Sequence, residues 1–214
     1  MKKITLISAV LLLAAIIITV LTILDLFHHR QYTNADFHIP TYISQTDKDG
    51  DGLDDQTDIL TNVRSYIATK PKYESKYYST GYPDDGCGVC TDVVAFGLKD
   101  AGYDIKDLLY KHITENRELY DIDIIDSNID FRKVRNLKVY FDSTAISLTT
   151  DINQIEEWQG GDIVVFREHI GIVSDKRNKK GVTFVLHNGS PLQTGYEQDI
   201  LEGRDDIIGH YRIS

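Results

Sequence analysis

An uncharged apolar run at the N-terminus constrains the fold of this chain more than any other feature. Residues 4–24 contain no charged side chain, and they follow Lys2 and Lys3 directly. A helix of roughly 20 apolar residues spans a hydrocarbon core of about 30 Å. The run therefore predicts a transmembrane helix within residues 1–24, set apart from the globular part of the chain.

A cleaved signal peptide is the alternative to such an anchor. Signal peptides usually carry an apolar region of about 7 to 15 residues that ends in a small-x-small cleavage site. This run is longer, and it ends with Thr22, Ile23 and Leu24. We therefore favour an uncleaved signal anchor. The positive-inside rule places Lys2 and Lys3 in the cytoplasm, so a single-pass protein with an extracytoplasmic domain is expected.

Composition indicates one globular domain after the anchor. Of the 214 residues, 42% are hydrophobic, which suffices for one ordinary core. The formal net charge of -10 argues against nucleic acid as a partner. Two cysteines are too few for a disulfide scaffold. We expect residues 25–46 to form a linker, 47–58 a metal-binding loop, and 59–214 the folded domain.

Regularly spaced carboxylates define the metal-binding loop. Positions 1, 3, 5, 9 and 12 of residues 47–58 are acidic, and Gly52 stands at position 6, where an EF-hand loop turns sharply. Oxygen ligands at this spacing favour a structural calcium ion; a solvated acidic turn that caps the next helix is the alternative. The expected ligands are five carboxylates and one backbone carbonyl, from Asp47, Asp49, Asp51, Leu53, Asp55 and Asp58.

The apolar pattern divides the domain into helices followed by strands. Helical spacing predicts helices over residues 59–69, 90–101, 104–120 and 131–141. Short β-branched runs predict strands over residues 163–166, 169–174, 182–186 and 207–213, the last at an edge of the sheet. This order predicts an α+β domain, in which N-terminal helices pack on a small antiparallel sheet.

A cysteine begins the second of these helices. Cys90 follows the turn-forming residues 81–86 and precedes an apolar helical stretch. The unpaired amides and the dipole at a helix N-terminus favour thiolate, so we predict a lowered pKa and a nucleophile. A buried structural cysteine is one alternative. Cys87 adds two others, a thioredoxin-like dithiol and a reversible disulfide that silences Cys90.

Two histidines lie on the predicted strands. Because side chains alternate along a strand, His169 and His187 can face Cys90 across one cleft, whereas Asn188 faces the other way unless the strand bends. Asn188 is therefore a fallback for the role of His187. The two histidines with Cys87 and Cys90 also offer the four ligands of a zinc site, which ranks lower.

Several ordered blocks of sequence resemble one bacterial family. They include the Gly-Asp-hydrophobic strand at Gly161 and the His-hydrophobic-Gly strand at His169, and they cover residues 88–94, 128–137, 161–164, 169–175, 187–188 and 209–212. These blocks resemble the bacterial domain of unknown function 1287 over about residues 56–214. That family is similar in turn to papain-like NlpC-type and CHAP cysteine peptidases and amidases of the cell wall. Cys87 and the calcium loop depart from the family pattern.

The resemblance implies a papain-like cysteine hydrolase that needs no catalytic cofactor. It implies that Cys90 is the nucleophile, His169 the base and His187 the group that orients His169. With the anchor, it predicts a bacterial membrane protein whose outer domain acts as an amidase or endopeptidase on peptidoglycan peptides. The alternatives are a non-catalytic, calcium-stabilised envelope-binding module, a redox protein that uses Cys87 and Cys90, and a transferase with the same thioester chemistry.

Overall fold

The computed structural model of the protein describes residues 2–23, 31–193 and 195–213, with the side chains of residues 10–20 in the first of these ranges. Helix α1 covers Lys2–Ile23, and large apolar side chains such as Leu11 and Leu12 are exposed on it. Among the residues described in this way, no helix is long and apolar enough to cross a membrane. The remainder of the predicted anchor, Met1 and Leu24, and residues 25–30 of the predicted linker lie outside the described residues.

Residues 31–46 pack against the domain, so the prediction of a linker is wrong for them. Tyr32 and Arg177 exchange two backbone hydrogen bonds of 2.8 Å. The buried Asn34 side chain accepts a bond of 2.6 Å from Arg177 Nε, and it donates one of 2.9 Å to Gln159. The other Arg177 donors bond backbone carbonyls, and burial lowers the pKa of Arg177 to about 10. The segment stays docked because this buried guanidinium needs its acceptors.

Four further helices confirm the predicted helices with shifted ends. They are α2 (Asp55–Ala68), α3 (Cys90–Asp100), α4 (Ile105–Glu115) and α5 (Val134–Thr144). The Asp54 side chain caps α2 by accepting a bond from Thr57 N. Helix α4 ends five residues earlier than the predicted boundary at residue 120, where Asn116 bonds the His112 carbonyl and a 3₁₀ turn follows.

The strands form one antiparallel sheet and one small parallel pair. The strands are β1 (Lys72–Tyr73), β2 (Cys87–Gly88), β3 (Ile146–Ser147), β4 (Ile163–Phe166), β5 (Ile170–Arg177), β6 (Thr183–Leu186), β7 (Glu197–Gln198) and β8 (Ile207–Arg212). The large sheet has the order β3-β8-β4-β5-β6-β7, and β1 pairs with β2. Strand β8 lies between β3 and β4, so its predicted place at the sheet edge is wrong.

The helices pack on one face of the large sheet. In β4, Ile163 and Val165 point into a core shared with α2 to α5, whereas Val164 and Phe166 pack on the other face with Trp158. This alternation is the period of two expected of a strand that is buried on both faces. The result is an α+β domain with helices on one side of a six-stranded antiparallel sheet.

A buried carboxylate explains why β8 lies inside the sheet. Asp162, just before β4, is fully buried and accepts two bonds of 2.7 Å from the Arg212 guanidinium. His210 Nε2 lies 3.1 Å from the same carboxylate, and its ring stacks on Trp158 at 3.8 Å. Gln56 of α2 donates a further bond of 2.7 Å. These polar side chains of β8 therefore hold the sheet together, since a buried charge requires such partners.

Candidate active site

A buried ion pair fixes the beginning of α3. Asp92 accepts a bond of 2.8 Å from Val89 N, which caps the helix, and bonds of 2.7 and 2.9 Å from Arg132. Both side chains are almost completely buried. Arg132 also donates to the Lys76 carbonyl and so ties three segments together. The pair sets the position of Cys90, which is the first residue of α3.

Cys90 is half-buried, and its surroundings oppose ionisation. The amides of Ile170, Thr91 and Cys90 itself approach the sulfur and favour thiolate, but burial outweighs them and raises the pKa of the Cys90 thiol to about 11. The Asp92 carboxylate raises this pKa further. The prediction of a lowered pKa is therefore wrong, because it counted the helix N-terminus and not the desolvation of the sulfur.

The two predicted histidines lie side by side. His169 precedes β5 and His187 follows β6, and Nε2 of His169 lies 2.9 Å from Nδ1 of His187. Their rings are nearly perpendicular, at 82°. Ile170, whose amide approaches the Cys90 sulfur, is the residue after His169. The structure therefore brings His169 and His187 into contact and places the Cys90 sulfur next to the residue that follows His169. Among the described residues, no hydrogen bond joins the sulfur to either ring.

Burial keeps both histidines neutral. It lowers the pKa of His169 to about 3, with His187 and Arg204 acting in the same direction. It lowers the pKa of His187 to about 4, against the opposing effect of the Gln198 side chain. At neutral pH the cluster consequently holds a thiol and two uncharged imidazoles rather than an ion pair.

Asn188, the fallback for His187, has a different role. Its side chain is buried and donates hydrogen bonds of 3.0 Å to the Pro71 and Gly88 carbonyls. These bonds join the end of β6 to the segment just before Cys90. Asn188 therefore helps to position the cysteine segment, and His187 is the residue in contact with His169.

Cys87 points to a separate polar cluster. Its sulfur lies 3.5 Å from Glu74 Oε2 and 3.8 Å from Lys76 Nζ, and both cysteines are free thiols. Across the described ranges, the one close group of three or more candidate metal ligands is formed by Asp47, Asp49 and Asp51. The four residues of the alternative zinc site therefore do not converge.

The sequence did not predict the charged pair that lies near His169, namely Arg204 and Asp206. The Phe166 ring stacks on His169 at 5.7 Å, and the Arg204 guanidinium lies 4.4 Å from the centre of that ring. Arg204 forms two bonds of 2.7 Å with Asp206. No motif marks these residues, because the segment before β8 reaches His169 only through the pairing of β8 with β4.

A cavity of about 590 Å³ lies beside the histidine pair. Its lining comes from the end of α2 and from the segment between β6 and β7, and includes Arg64, Lys70, Gln193 and Tyr196. Gln193 also donates a bond of 2.8 Å to the His187 carbonyl. The cavity therefore adjoins the candidate active site, although none of the three predicted catalytic side chains lines it.

The acidic loop brings three predicted ligands together at the surface. Carboxylate oxygens of Asp47, Asp49 and Asp51 lie within 4.8 Å of one another, and all three residues are exposed. Asp47 accepts bonds from the amides of Gly50 and Gly52, and Gly52 has a φ of 97°. Glycine adopts this left-handed conformation without strain, as the motif requires at position 6.

The remaining predicted ligands are placed differently. Asp58 is buried, and burial together with the charges of Asp49 and Asp51 raises its pKa to about 6. Leu53 donates its amide to Asp51 over 2.8 Å. The Asp55 carboxylate accepts hydrogen bonds from the Tyr103 hydroxyl and from the amide of residue 48. Asp58 is thus close to the exposed carboxylates, whereas Asp55 fastens the loop to the domain.

Comparison with known proteins assigns the chain to a family. The model of the family described as "Domain of unknown function (DUF1287)" matches residues 60–213. The chain is 33% identical over 168 residues to "Uncharacterized protein YijF" of Escherichia coli (strain K12), and this match covers 72% of the chain and 80% of that protein. The chain belongs to the DUF1287 family, as the sequence blocks indicated. No solved structure matches it.

Proposed function

We propose that this protein is a papain-like cysteine hydrolase that cleaves amide or peptide bonds. The observation that carries the proposal is that Cys90 begins a helix and its sulfur is approached by the amide of Ile170, the residue after His169, while His169 itself contacts His187. Nucleophile, base and orienting group are the three parts that such chemistry needs. The three residues proposed for these roles come from different parts of the fold, since Cys90 begins α3, His169 precedes β5 and His187 follows β6.

In the first step, Cys90 attacks the substrate carbonyl carbon while His169 Nδ1 accepts the thiol proton. A C–S bond forms, the C–N bond breaks, and His169 returns the proton to the leaving amine. In this mechanism the backbone N–H of Cys90, at the start of α3, donates to the oxyanion as one arm of an oxyanion hole. Since thiol and imidazole are both neutral at rest, proton transfer accompanies the attack.

In the second step, water cleaves the thioester. His169 takes a proton from the water, the oxygen attacks the acyl carbon, and the C–S bond breaks to restore the Cys90 thiol. In this mechanism His187 orients the ring of His169 through the contact of 2.9 Å with Nε2, which leaves Nδ1 as the nitrogen that accepts the thiol proton. This role is that of the third member of a catalytic triad.

We place the reaction outside the cytoplasm, on peptides of the cell wall. The support is the uncharged run of residues 4–24 behind Lys2 and Lys3, which suits a single-pass anchor with the domain on the outer side. In a bacterium, peptidoglycan stem and cross-bridge peptides are the amide substrates at this location.

We further propose that calcium binds the loop at residues 47–58. The donors fit a hard divalent cation, because three exposed carboxylates lie together and the charges of two of them already raise the pKa of Asp58. Asp47, Asp49, Asp51 and Asp58 would hold the ion, with the Leu53 carbonyl as the backbone ligand. Such an ion would neutralise the repulsion among these carboxylates, and the loop would then order the start of α2.

The proposed activity is tested by incubating the full chain with purified muropeptides and following the products by mass spectrometry. We expect wild type to release new amines, Cys90→Ala to lose turnover and retain binding, and the control Cys87→Ala to cleave as wild type does. Cleavage by Cys90→Ala at the wild-type rate would overturn the mechanism.

A second candidate is a module that binds a wall peptide without cutting it. The raised pKa of Cys90 and the lowered pKa of His169 favour this candidate, since neither group is charged at rest. Binding of muropeptides by wild type, with no product after long incubation and no effect of iodoacetamide, would select it over the hydrolase.

A further inference from the structure

The hydrogen bond between the two histidines contains one proton, which is carried either by Nε2 of His169 or by Nδ1 of His187. If His169 is to accept a proton at Nδ1, its own proton must be on Nε2, and it then donates to Nδ1 of His187. The proton of His187 must in that case be on Nε2. The opposite assignment puts a proton on Nδ1 of His169 and removes its capacity to act as a base. The tautomer of His187 therefore decides whether His169 can react.

The other ring nitrogen of His187 is Nε2, and it lacks a hydrogen-bond partner in normal geometry within the part of the chain that the structure describes. The atom is also buried. In the productive tautomer this atom is a donor, so it requires an acceptor. A buried donor without one is destabilising. Some neighbouring group must favour this tautomer over the other.

The register of β6 and β7 identifies Gln198 as a neighbour of His187. Val185 lies opposite Gln198, and His187 N donates to the Tyr196 carbonyl over 2.8 Å. Residues opposite each other share a face, as do residues two apart, so Gln198 and His187 are diagonal neighbours on one face. The Tyr196 hydroxyl, which lies closest in register, donates its proton to the Pro71 carbonyl over 2.9 Å.

The other charged neighbours of the histidines either lack an acceptor or are engaged with other donors. Arg204 lacks an acceptor and disfavours protonation of both rings, and Asp206, which favours protonation of His169, is engaged with Arg204. Glu197, next to Gln198 in β7, bonds Arg64, Ser174 and Lys176. The Gln198 side chain raises the pKa of His187, which is the effect of an acceptor.

We propose that Gln198 is a positioning residue whose amide oxygen accepts the Nε2 proton of His187 and thereby leaves Nδ1 of His169 free to take the proton of Cys90. The inference rests on the proposed function, since it describes how the same site is prepared. Gln198 acts through His187 and touches no reacting atom. An amide can also donate, so its orientation selects between a reactive and an unreactive state of the histidine pair.

The test measures the reactivity of Cys90 without any substrate. In a Cys87→Ser background, the full chain with Gln198, Gln198→Met or Gln198→Glu is treated with iodoacetamide from pH 6 to pH 10 and followed by intact mass. Methionine keeps the size of glutamine and removes the acceptor; glutamate can only accept. Gln154→Met, an exposed glutamine away from the site, is the matched control.

We expect Gln198→Met to slow alkylation at pH 8 about fivefold, the factor expected for one ordinary hydrogen bond. Gln198→Glu should react at least as fast as the parent, and Gln154→Met should equal it. In the unsubstituted chain, ¹⁵N NMR should show both histidines protonated on Nε2. Equal alkylation rates for all variants across the pH range, or a proton on Nδ1 of His187, would overturn the inference.

The two proposals fail separately. A chain that cleaves no muropeptide but shows the alkylation pattern contradicts the hydrolase and supports the role of Gln198. A chain that cleaves muropeptides equally well with Gln198 or with methionine at that position supports the hydrolase and contradicts the role of Gln198.

Discussion

The acidic loop and the Cys90 cluster place ionisable groups in opposite environments. The loop gathers Asp47, Asp49 and Asp51 from neighbouring positions and leaves them exposed. The cluster takes Cys90, His169 and His187 from distant elements, and it buries His187 and partly buries the other two. Both patterns are recognisable in the sequence, but burial opposes charge on the thiol and on both imidazoles of the cluster. The difference shows that a motif identifies the partners, whereas burial sets their ionisation.

The largest expected effect concerns the ion pair that holds the buried site. Replacing Asp92 by Asn leaves the Arg132 guanidinium without its charged partner, and we expect a loss of about 3 to 5 kcal/mol in the free energy of unfolding. Urea denaturation measures it. Asp100→Asn, an exposed change at the end of the same helix, should stay within about 0.5 kcal/mol of wild type. Equal losses in the two variants would remove the distinction between buried and exposed charge.

The next effect is the pH dependence that the neutral histidines contribute. Their pKa values of about 3 and about 4 lie below the unfolded value, so the unfolded chain binds more protons as the pH falls below about 6.5. Each histidine therefore lowers the free energy of unfolding by up to about 1.4 kcal/mol per pH unit between pH 6.5 and pH 5. Urea denaturation of His169→Gln should show a shallower pH dependence than wild type.

An exposed histidine provides the control for this measurement. His38 lies outside the site and adopts a left-handed conformation, which Asn tolerates. His38→Asn should retain the wild-type pH dependence. If His169→Gln and wild type lose stability equally on acidification, the site histidines are not held neutral by burial.

A smaller effect concerns the exposed loop. Calcium at about ten times its Kd should raise the free energy of unfolding by about 1.4 kcal/mol at pH 7.5. The pKa of Asp58 is raised to about 6, so protons compete with the ion and the gain should shrink at pH 5. Thermal unfolding with calcium or a chelator measures it. Asp49→Asn should abolish the stabilisation by calcium, whereas Asp84→Asn, an exposed control, should keep it. A stabilisation that is equal at both pH values would contradict the assignment of Asp58 as a calcium ligand.

The smallest expected effect is that of reductant on the two cysteines. Because the Cys87 sulfur lies against Glu74 and Lys76, we expect two free thiols in thiol titrations with and without reductant. Cys87→Ser should leave the reactivity of Cys90 unchanged. Loss of both thiols in the absence of reductant, restored by its addition, would instead support the reversible disulfide.

Regular patterns predicted much of the fold. Helical spacing located α2, α3 and α5, and β-branched runs located β4, β5 and β6, because long apolar periods report directly on a buried face. The two-residue strands β3 and β7 carry no such period. The interior place of β8 depends on Asp162, whose partners come from distant parts of the chain.

The sequence indicated which residues belong to the candidate site, but it did not indicate their ionisation states. Alternation along the strands indicated that His169 and His187 face one cleft, and the structure has them in contact. The direction of the pKa shift at Cys90 depends on how deeply the sulfur is buried, which the helix start alone does not reveal. Gln198 and Arg204 reach the histidines through strand pairing and stacking, so no local spacing marks them.

The anchorage of Asn34 by Arg177 limits the reach of the domain. With residues from 31 onward docked, seven residues, 24–30, separate the end of α1 at Ile23 from the folded body, so eight Cα–Cα steps join Ile23 to residue 31. A fully extended chain of that length covers at most about 28 Å. The docked segment therefore keeps the residues that follow it within a short distance of the end of α1.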